Sequence, residues 1–397
     1  MLKKRKSSGK KKINKFLQNK VTLFILLLSI IALLIVAFLA KEKQNLNQNA
    51  ATPWSSHSMA WIYPGDPACN APNEYKDGRQ IETLKPEYFT LDSTGKLVQL
   101  TTASHGCNAY SQANAAEIKQ YSTYQYVTIS AGTSSMNALV TDQTKMTNAI
   151  TTVKNFLDTV AFTGVELDFE GFAQWTPAQY AGYKDFVTQL GNTLHDSGYK
   201  LMVDGPGDID VPNTYQWKYA DFNNLPVDYI VLMAYDWQYD YGAGTPVAPL
   251  ARVKNVTERV ISEITDINKI VVGIPSYGYH GVTDEYTITI DTNKQSQSYP
   301  GYTTATRDSS SAEMIFNNGG ISYNYADSQT LNTKRTTIED LGIKHISVWH
   351  LGGNQWFSGK SEPGSMTTST PTLNPTATNT VATPTPTFIP TSTPTSI

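Results

Sequence analysis

Between about residues 56 and 360 the chain repeats one pattern. Short apolar runs alternate with longer segments whose apolar residues recur at helical spacing. The short runs are MAWIYP (59–64), EYFTL (87–91), YVTISAG (126–132), GVELDFE (164–170), KLMVDG (200–205), YIVLMAYD (229–236), KIVVGIPSYG (269–278) and HISVWHLGG (345–353). Their length and their β-branched and aromatic content predict strands. Between them, Met146, Ile150, Val153, Phe156 and Leu157 fall on one face of a helix within 144–162. A second helix is predicted from Pro177, with Thr176 as N-cap, to a stop at Gly198, and a third begins at Pro249. Eight strands alternating with helices predict a (β/α)8 TIM barrel. An open doubly wound sheet would carry a glycine-rich phosphate loop after its first strand, and YPGDPACN (63–70) is no such loop. That same stretch makes only a weak first helix, and the helix after the eighth strand is short or missing.

The two ends break the pattern. Residues 1–20 are rich in Lys and Arg, and Val21 to Ala40 are apolar with only Thr22 and Ser29 as polar interruptions. Twenty helical residues span about 30 Å, the thickness of a bilayer core. The expectation is a single-pass transmembrane helix at 21–40, its basic flank in the cytoplasm and everything after Lys41 outside the cell membrane. The alternative is a cleaved signal peptide and a secreted protein. That wants a shorter apolar run and a small residue where Phe38 stands. Residues 41–55 read as a polar tether. Residues 361–397, almost uncharged Thr, Ser and Pro, read as a disordered, extended linker. The expected folded domain is 56–360, as a monomer.

Composition narrows the partners. A formal net charge of −3 argues against nucleic acid. The 23 tyrosines are more than a core alone calls for, and such rings at a cleft stack on the apolar faces of sugars. The two cysteines, Cys69 and Cys107, are a candidate disulfide in an exported domain. No group of His and Cys has zinc spacing, and no metal or other cofactor is expected.

The chemistry gathers on the fourth run. In FTGVELDFEGF (162–172), Glu166, Asp168 and Glu170 alternate with Val165, Leu167 and Phe169. On a strand the three acids share one face. A buried parallel strand has no solvent face to spare, so the acids point into the barrel and the apolar residues toward the helices. Acids two positions apart stand about 7 Å from each other, and at an effective dielectric near 20 they repel by about 2.4 kcal/mol. The set therefore holds at least one proton near neutral pH, and a carboxyl kept protonated there can act as a general acid. Glu170, the outermost, is placed to reach a leaving group. Asp204 ends another strand and is the candidate for a second carboxylate in a glycosidase that uses an enzyme nucleophile.

These residues resemble a known family. FTGVELDFE is similar to the fourth-strand signature DGxDxDxE of family-18 glycoside hydrolases, the chitinases and their relatives. LMAYDW (232–237) resembles the family's sixth-strand M-x-Y-D, SAGT (130–133) its third-strand S-x-G-G, GIPSYGY (273–279) its seventh strand and VWHLGG (348–353) its eighth. The motifs span the barrel in the right order. Thr163 and Glu166 stand where the signature has its first two aspartates, and Thr133 replaces the last Gly of S-x-G-G. Their expected effect is on the pH optimum rather than on the reaction itself.

The resemblance implies an enzyme that hydrolyses β-linked N-acetylglucosamine glycans with retention, the substrate assisting. It implies that Glu170 protonates the glycosidic oxygen, while the sugar's own acetamido oxygen attacks C1 to give an oxazolinium ion. Asp168 would hold the acetamido N–H, and Tyr235 would donate to the acetamido oxygen. Asp236, Trp349, Met233, Tyr63 and Glu166 would form the sugar site, with Trp349 as its floor. The substrate would be chitin, a peptidoglycan-derived glycan or an N-glycan core. A non-catalytic glycan-binding protein on the same barrel is the alternative.

Overall fold

The structure is a computed structural model that describes residues 53–65, 69–77, 79–100, 109–172, 174–207 and 216–363. The predicted anchor at 21–40, most of the tether and nearly all of the Thr/Pro-rich tail lie outside these residues. Among the described residues no helix is long and apolar enough to cross a membrane.

In chain order the strands are β1 (His57–Ile62), β2 (Thr83–Leu91), β3 (Leu97–Gln99), β4 (Tyr124–Ser130), β5 (Gly164–Asp168), β6 (Lys200–Pro206), β7 (Tyr229–Met233), β8 (Ile270–Pro275), β9 (Gly278–Val282), β10 (Thr289–Asp291), β11 (Thr306–Arg307), β12 (Met314–Asn318), β13 (Ile321–Tyr325) and β14 (His345–Trp349). The eight predicted runs are β1, β2, β4 to β8 and β14. All pair in parallel, and β1 pairs with both β2 and β14, so the sheet closes into a barrel. The strand that deviates most is β2. It begins four residues before EYFTL and runs through Pro86, and its register against β4 shifts between Glu87 and Phe89. β3 is a short antiparallel return on β2.

The helices are α1 (Ala71–Lys76), α2 (Gln112–Gln120), α3 (Thr133–Val140), α4 (Gln143–Val160), α5 (Pro177–Asp196), α6 (Trp237–Tyr241), α7 (Leu250–Glu263), α8 (Asn293–Ser296) and α9 (Ser328–Glu339). The α5 start is a capping box. Thr176 accepts from the Gln179 backbone, Gln179 answers with its side chain, and Pro177 sits where no N–H is needed. α4 turns Met146, Ile150, Val153, Phe156 and Leu157 inward, as the spacing predicts. α1 is a single short helix after β1, and no helix follows β14 among the described residues.

An antiparallel sheet of five strands, in the order β10-β9-β13-β12-β11, is inserted between β8 and β14. The sequence reading did not separate it from the barrel. Its strands are short and rich in Tyr, Asn and Thr, with Phe316 stacked on Tyr323 at 4.4 Å in place of an aliphatic core. Within the barrel, period-two alternation sorts the side chains. Ala60, Val127, Val165, Leu167, Val203, Leu232, Val272 and Val348 face the helices, and Met59, Trp61, Tyr126, Met202, Val231 and Val271 fill the lumen. Residues on both sides of the expected 56–360 boundary are tied to the barrel. Trp54 bonds the Ser361 carbonyl at 2.9 Å, and buried Arg335 holds Glu362 at 2.7 Å.

Candidate active site

The β5 strand can lie this close to β6 only because it starts with glycine. A Cβ on Gly164 would fall 2.1 Å from the Lys200 carbonyl oxygen. From there alternation sends Val165 and Leu167 outward, wholly buried under the helices, and Glu166 and Asp168 inward. Phe169 continues the outer side, stacked on Phe186 of α5 at 5.8 Å. The predicted faces of the strand are the observed ones.

Glu166 has no solvent exposure, yet it has three donors. Trp61 Nε1 gives its hydrogen to Oε2 at 2.8 Å, Thr128 Oγ1 to Oε2 at 2.5 Å, and Lys85 Nζ to Oε1 at 2.5 Å. Lys85 is equally buried, and its ammonium also sits 3.2 Å from the centre of the Trp61 ring. Burial pulls Lys85 below its ordinary value, opposed by Glu166, Asp204 and Glu87. On β6, Asp204 is 1% exposed and hydrogen-bonds Glu166. Burial, then Glu166 and Asp168, push it well above the usual carboxylate range. The acids of the signature are thus not a bare row of like charges. A buried cation from β2, absent from the sequence reading, stands among them.

Asp168 and Glu170 lie at the mouth and share a hydrogen bond. Burial raises Asp168 well above its ordinary value, with Glu170, Glu87 and Glu166 adding to it. Desolvation by the cleft wall also raises Glu170, and Asp236 adds to it, while the bond from Asp168 pulls it down. Asp168 is therefore the donor of the pair, and its Oδ1 has no partner among the described residues. Both face a cleft of about 460 Å³ at the C-terminal ends of the strands, lined by Trp61, Tyr63, Glu87, Leu100, Ser130, Ala131, Gly132, Asp168, Glu170, Asp204, Met233, Tyr235, Asp236 and Trp349.

The structure thus gathers every sequence-predicted sugar-site residue except Glu166 on one cleft wall; Glu166 lies beneath it. Asp236 follows β7 with φ 75°, a left-handed conformation rare outside glycine. It is held there by the Tyr277 hydroxyl and by Gln238 Nε2 at 2.9 Å. Burial raises Asp236, and these two bonds oppose the rise. Burial also pushes the Tyr235 phenol up, so it remains a donor. Its ring passes over Gly273 of β8, where a Cβ would come within 3.0 Å of it. Trp349 closes β14. It packs edge-on against Tyr277 at 5.1 Å, and its indole N–H reaches Glu87 Oε1 at 3.2 Å. Burial lifts Glu87 to about 8, with Trp349 pulling it down and Glu166 and Glu170 adding to the rise. Tyr63, 41% exposed, and Met233 stand at the rim. The loop after β14 is pinned by Glu74 of α1, which accepts from the Gly352 and Gly353 amides at 2.7 Å.

Sequence reasoning missed Lys85 and Glu87, and it gave Tyr277 no role. The readable signal for the first two was their spacing two apart in LKPEY, hidden behind Pro86. Thr163 lies at the opposite, N-terminal end of β5, where its hydroxyl accepts from the Gln125 backbone at 3.0 Å. It does not line the cleft. Thr133 opens α3 after Gly132. Cys69 is disulfide-bonded, and Cys107 lies outside the described residues. Among the described residues no group of His, Cys, Asp and Glu has the geometry to hold a metal ion.

Three comparisons bear on this arrangement. The family model for glycosyl hydrolases family 18 matches residues 16–354. The cortical fragment-lytic enzyme of Bacillus subtilis is 24% identical over 237 residues, covering 54% of this chain and 52% of that protein. The chain thus spans about half the length of the curated relative it matches. Among solved structures, the spore cortex-lytic enzyme SleL of Bacillus cereus superposes with a TM-score of 0.64 at 18% identity, over 77% of this chain and 73% of that one. A class V chitinase of Nicotiana tobaccum in complex with NAG4 superposes with a TM-score of 0.62 at 15% identity, over 76% and 95%. At these identities the structures speak for the fold.

Proposed function

The chain belongs to family 18 of the glycosyl hydrolases and is a glycoside hydrolase, and from that premise we propose that it cleaves β-linked N-acetylglucosamine glycans of the cell wall by substrate assistance. The observation that carries the reading is the hydrogen-bonded Asp168–Glu170 pair, set in one cleft with Tyr235 and Trp349. The proton that Asp168 holds toward Glu170 in the free cleft passes to Glu170 when the sugar binds, and Glu170 gives it to the glycosidic oxygen as the C1–O bond breaks, which leaves Asp168 as a carboxylate. The acetamido oxygen of the sugar forms the new bond to C1. Asp168 then turns its carboxylate to the acetamido N–H and takes up part of the positive charge of the oxazolinium ion. Tyr235 donates to the acetamido oxygen and holds it in line. Trp349 lies under the ring. Water adds to C1, gives its proton to Glu170 and restores the acetamide.

The likeness to a cortical fragment-lytic enzyme supports a cell-wall glycan as substrate, and the complex of a similar barrel with NAG4 supports an acetamido sugar in the cleft. The apolar run at 21–40 belongs to the same proposal, as the anchor that holds the barrel outside the membrane. Fractionation of the full chain with membranes, lost when 1–40 are removed, tests that part.

The test of the chemistry is release from a chromogenic chitobioside by wild type and Glu170→Gln. The variant is expected to lose about 10²- to 10⁴-fold in kcat with little change in KM. Equal rates would remove Glu170 as the acid. Binding of acetamido glycans without turnover by the wild type would make the barrel a lectin.

A further inference from the structure

The signature position two residues before Asp168 holds a glutamate, and both of its oxygens are engaged by donors. An indole N–H and an ammonium only donate, so the two Glu166 oxygens that receive Trp61 and Lys85 must accept. Thr128 adds a third donor and Asp204 a fourth. Lys85 reaches this point from β2, wholly buried, with its ammonium also held against the Trp61 ring. No part of the proposed reaction uses Lys85, although it lies directly beneath the groups that carry it out.

We propose that Lys85 is a positioning residue of the hydrolytic site. It fixes the position of the Glu166 carboxyl group, whose free lone pair anchors the proton of Asp204. The proton of Asp204 is thereby held away from the mouth, and the proton shared by Asp168 and Glu170 is left beside the bond to be cleaved. The pair adds no net charge, so the mouth stays ready to hold a proton without the whole lumen becoming anionic. Every charged or titratable group facing the pair bears on this. They are Glu87 from β2, Tyr126 from β4, Asp168 and Glu170 from the end of β5, Asp204 from β6, and Tyr235 and Asp236 after β7. Lys85 is the cation among them. The inference rests on the hydrolase reading for its activity arm and on the fold alone for its spectroscopic arm.

The experiment measures the pH dependence of kcat/KM on a chromogenic chitobioside, and in parallel the NMR resonance of the Trp61 indole N–H. Lys85→Met removes a cation, so both limbs of the profile should move to higher pH by about one to two units. Glu166→Gln removes the anion and should move both limbs the other way. Lys85→Met/Glu166→Leu, which leaves no buried charge to spoil folding, should return the limbs to within about half a unit of wild type. Its kcat should still fall at least about tenfold at nearly unchanged KM, because Asp204 has lost its acceptor. A packing role cannot produce opposite shifts in the two single variants. Shifts of the same sign, unmoved limbs, or a double variant with wild-type kcat would overturn the proposal. If the wild type turns over no acetamido glycan, it is the hydrolase reading that fails. The indole resonance then still decides Lys85. It should be flat with pH in the wild type and should titrate in Lys85→Met, and equal behaviour in the two would sink the ion-pair role.

Discussion

Two strands of the barrel wall, β5 and β2 on either side of β4, each send two ionisable side chains inward, and they do so under opposite rules. On β5, Glu166 and Asp168 follow strict alternation, with Val165 and Leu167 buried outside. On β2, Lys85 and Glu87 obey the same spacing, but a register shift immediately after Glu87 lets Tyr88 and Phe89 both join the outer core. β5 concentrates carboxyls whose buried charge the fold tolerates only by holding protons. β2 supplies the cation that pairs with one of those carboxyls. Read alone, β5 looks like stored repulsion. Beside β2 it is an ion pair with a proton-bearing pair of acids above it.

The difference predicts opposite outcomes for removing a charge from either strand. Lys85→Met leaves Glu166 buried without its cation and should cost about 3–5 kcal/mol of stability by denaturant unfolding. Asp168→Asn should do the reverse. Because the folded carboxyl is raised above its unfolded value, its contribution is fully present at low pH and is lost as pH rises. The amide cannot ionise, so the variant should match wild type in acid and be the more stable of the two at neutral pH. Its hydrolysis of a chitobioside should nevertheless fall by about 10²- to 10³-fold. An Asp168→Asn protein that is destabilised at neutral pH, or a Lys85→Met protein as stable as wild type, would break the contrast.

Glu87 sharpens it, being the one β2 group that behaves like a β5 acid. Burial raises it from 4.5 to about 8. Its stabilising share is whole below about pH 4.5 and disappears as pH climbs to about 8. Glu87→Gln should therefore gain on wild type across that window, by up to about 1.4 kcal/mol per pH unit, and hold a constant lead above it. Thermal melts at a series of pH values check this, and parallel curves for the two proteins would remove Glu87 from the acid set.

How much of this was readable depends on whether local pattern and tertiary position agreed. They agree on β5, where apolar and acidic residues alternate without interruption, and on α5, where Thr176, Pro177 and Gln179 spell out a helix start. They agree on the ends of β7 and β14, where Tyr235, Asp236 and Trp349 follow apolar runs into the cleft. On β2 they disagree. Proline usually marks a strand's edge, and the bulge destroys the alternation that would have identified Lys85 as inward. The pairing itself is between residues 81 apart in sequence, which no local pattern encodes. The role of Tyr277 was invisible for a related reason. Its task is to hold Asp236 in a left-handed backbone, and that need appears only once the φ of 75° is known. The five-stranded insertion escaped because its strands are short and mixed in polarity, so neither period stands out.

The smallest expected effect is also the most specific to the place where β2 meets the cleft floor. Trp349 gives its indole hydrogen to Glu87 while its face lies open to the cleft. Trp349→Phe keeps an aromatic floor and removes only the donor. One neutral hydrogen bond is worth about 0.5–1.5 kcal/mol, so if the bond orients the floor, KM for a chitobioside should rise about two- to tenfold with kcat nearly constant. The same bond pulls Glu87 down, so its loss should carry the Glu87 transition to still higher pH in the thermal melts. A rise in KM with no movement of that transition would mean that Trp349 acts by its ring alone, and that β2 and the cleft floor are neighbours without being coupled.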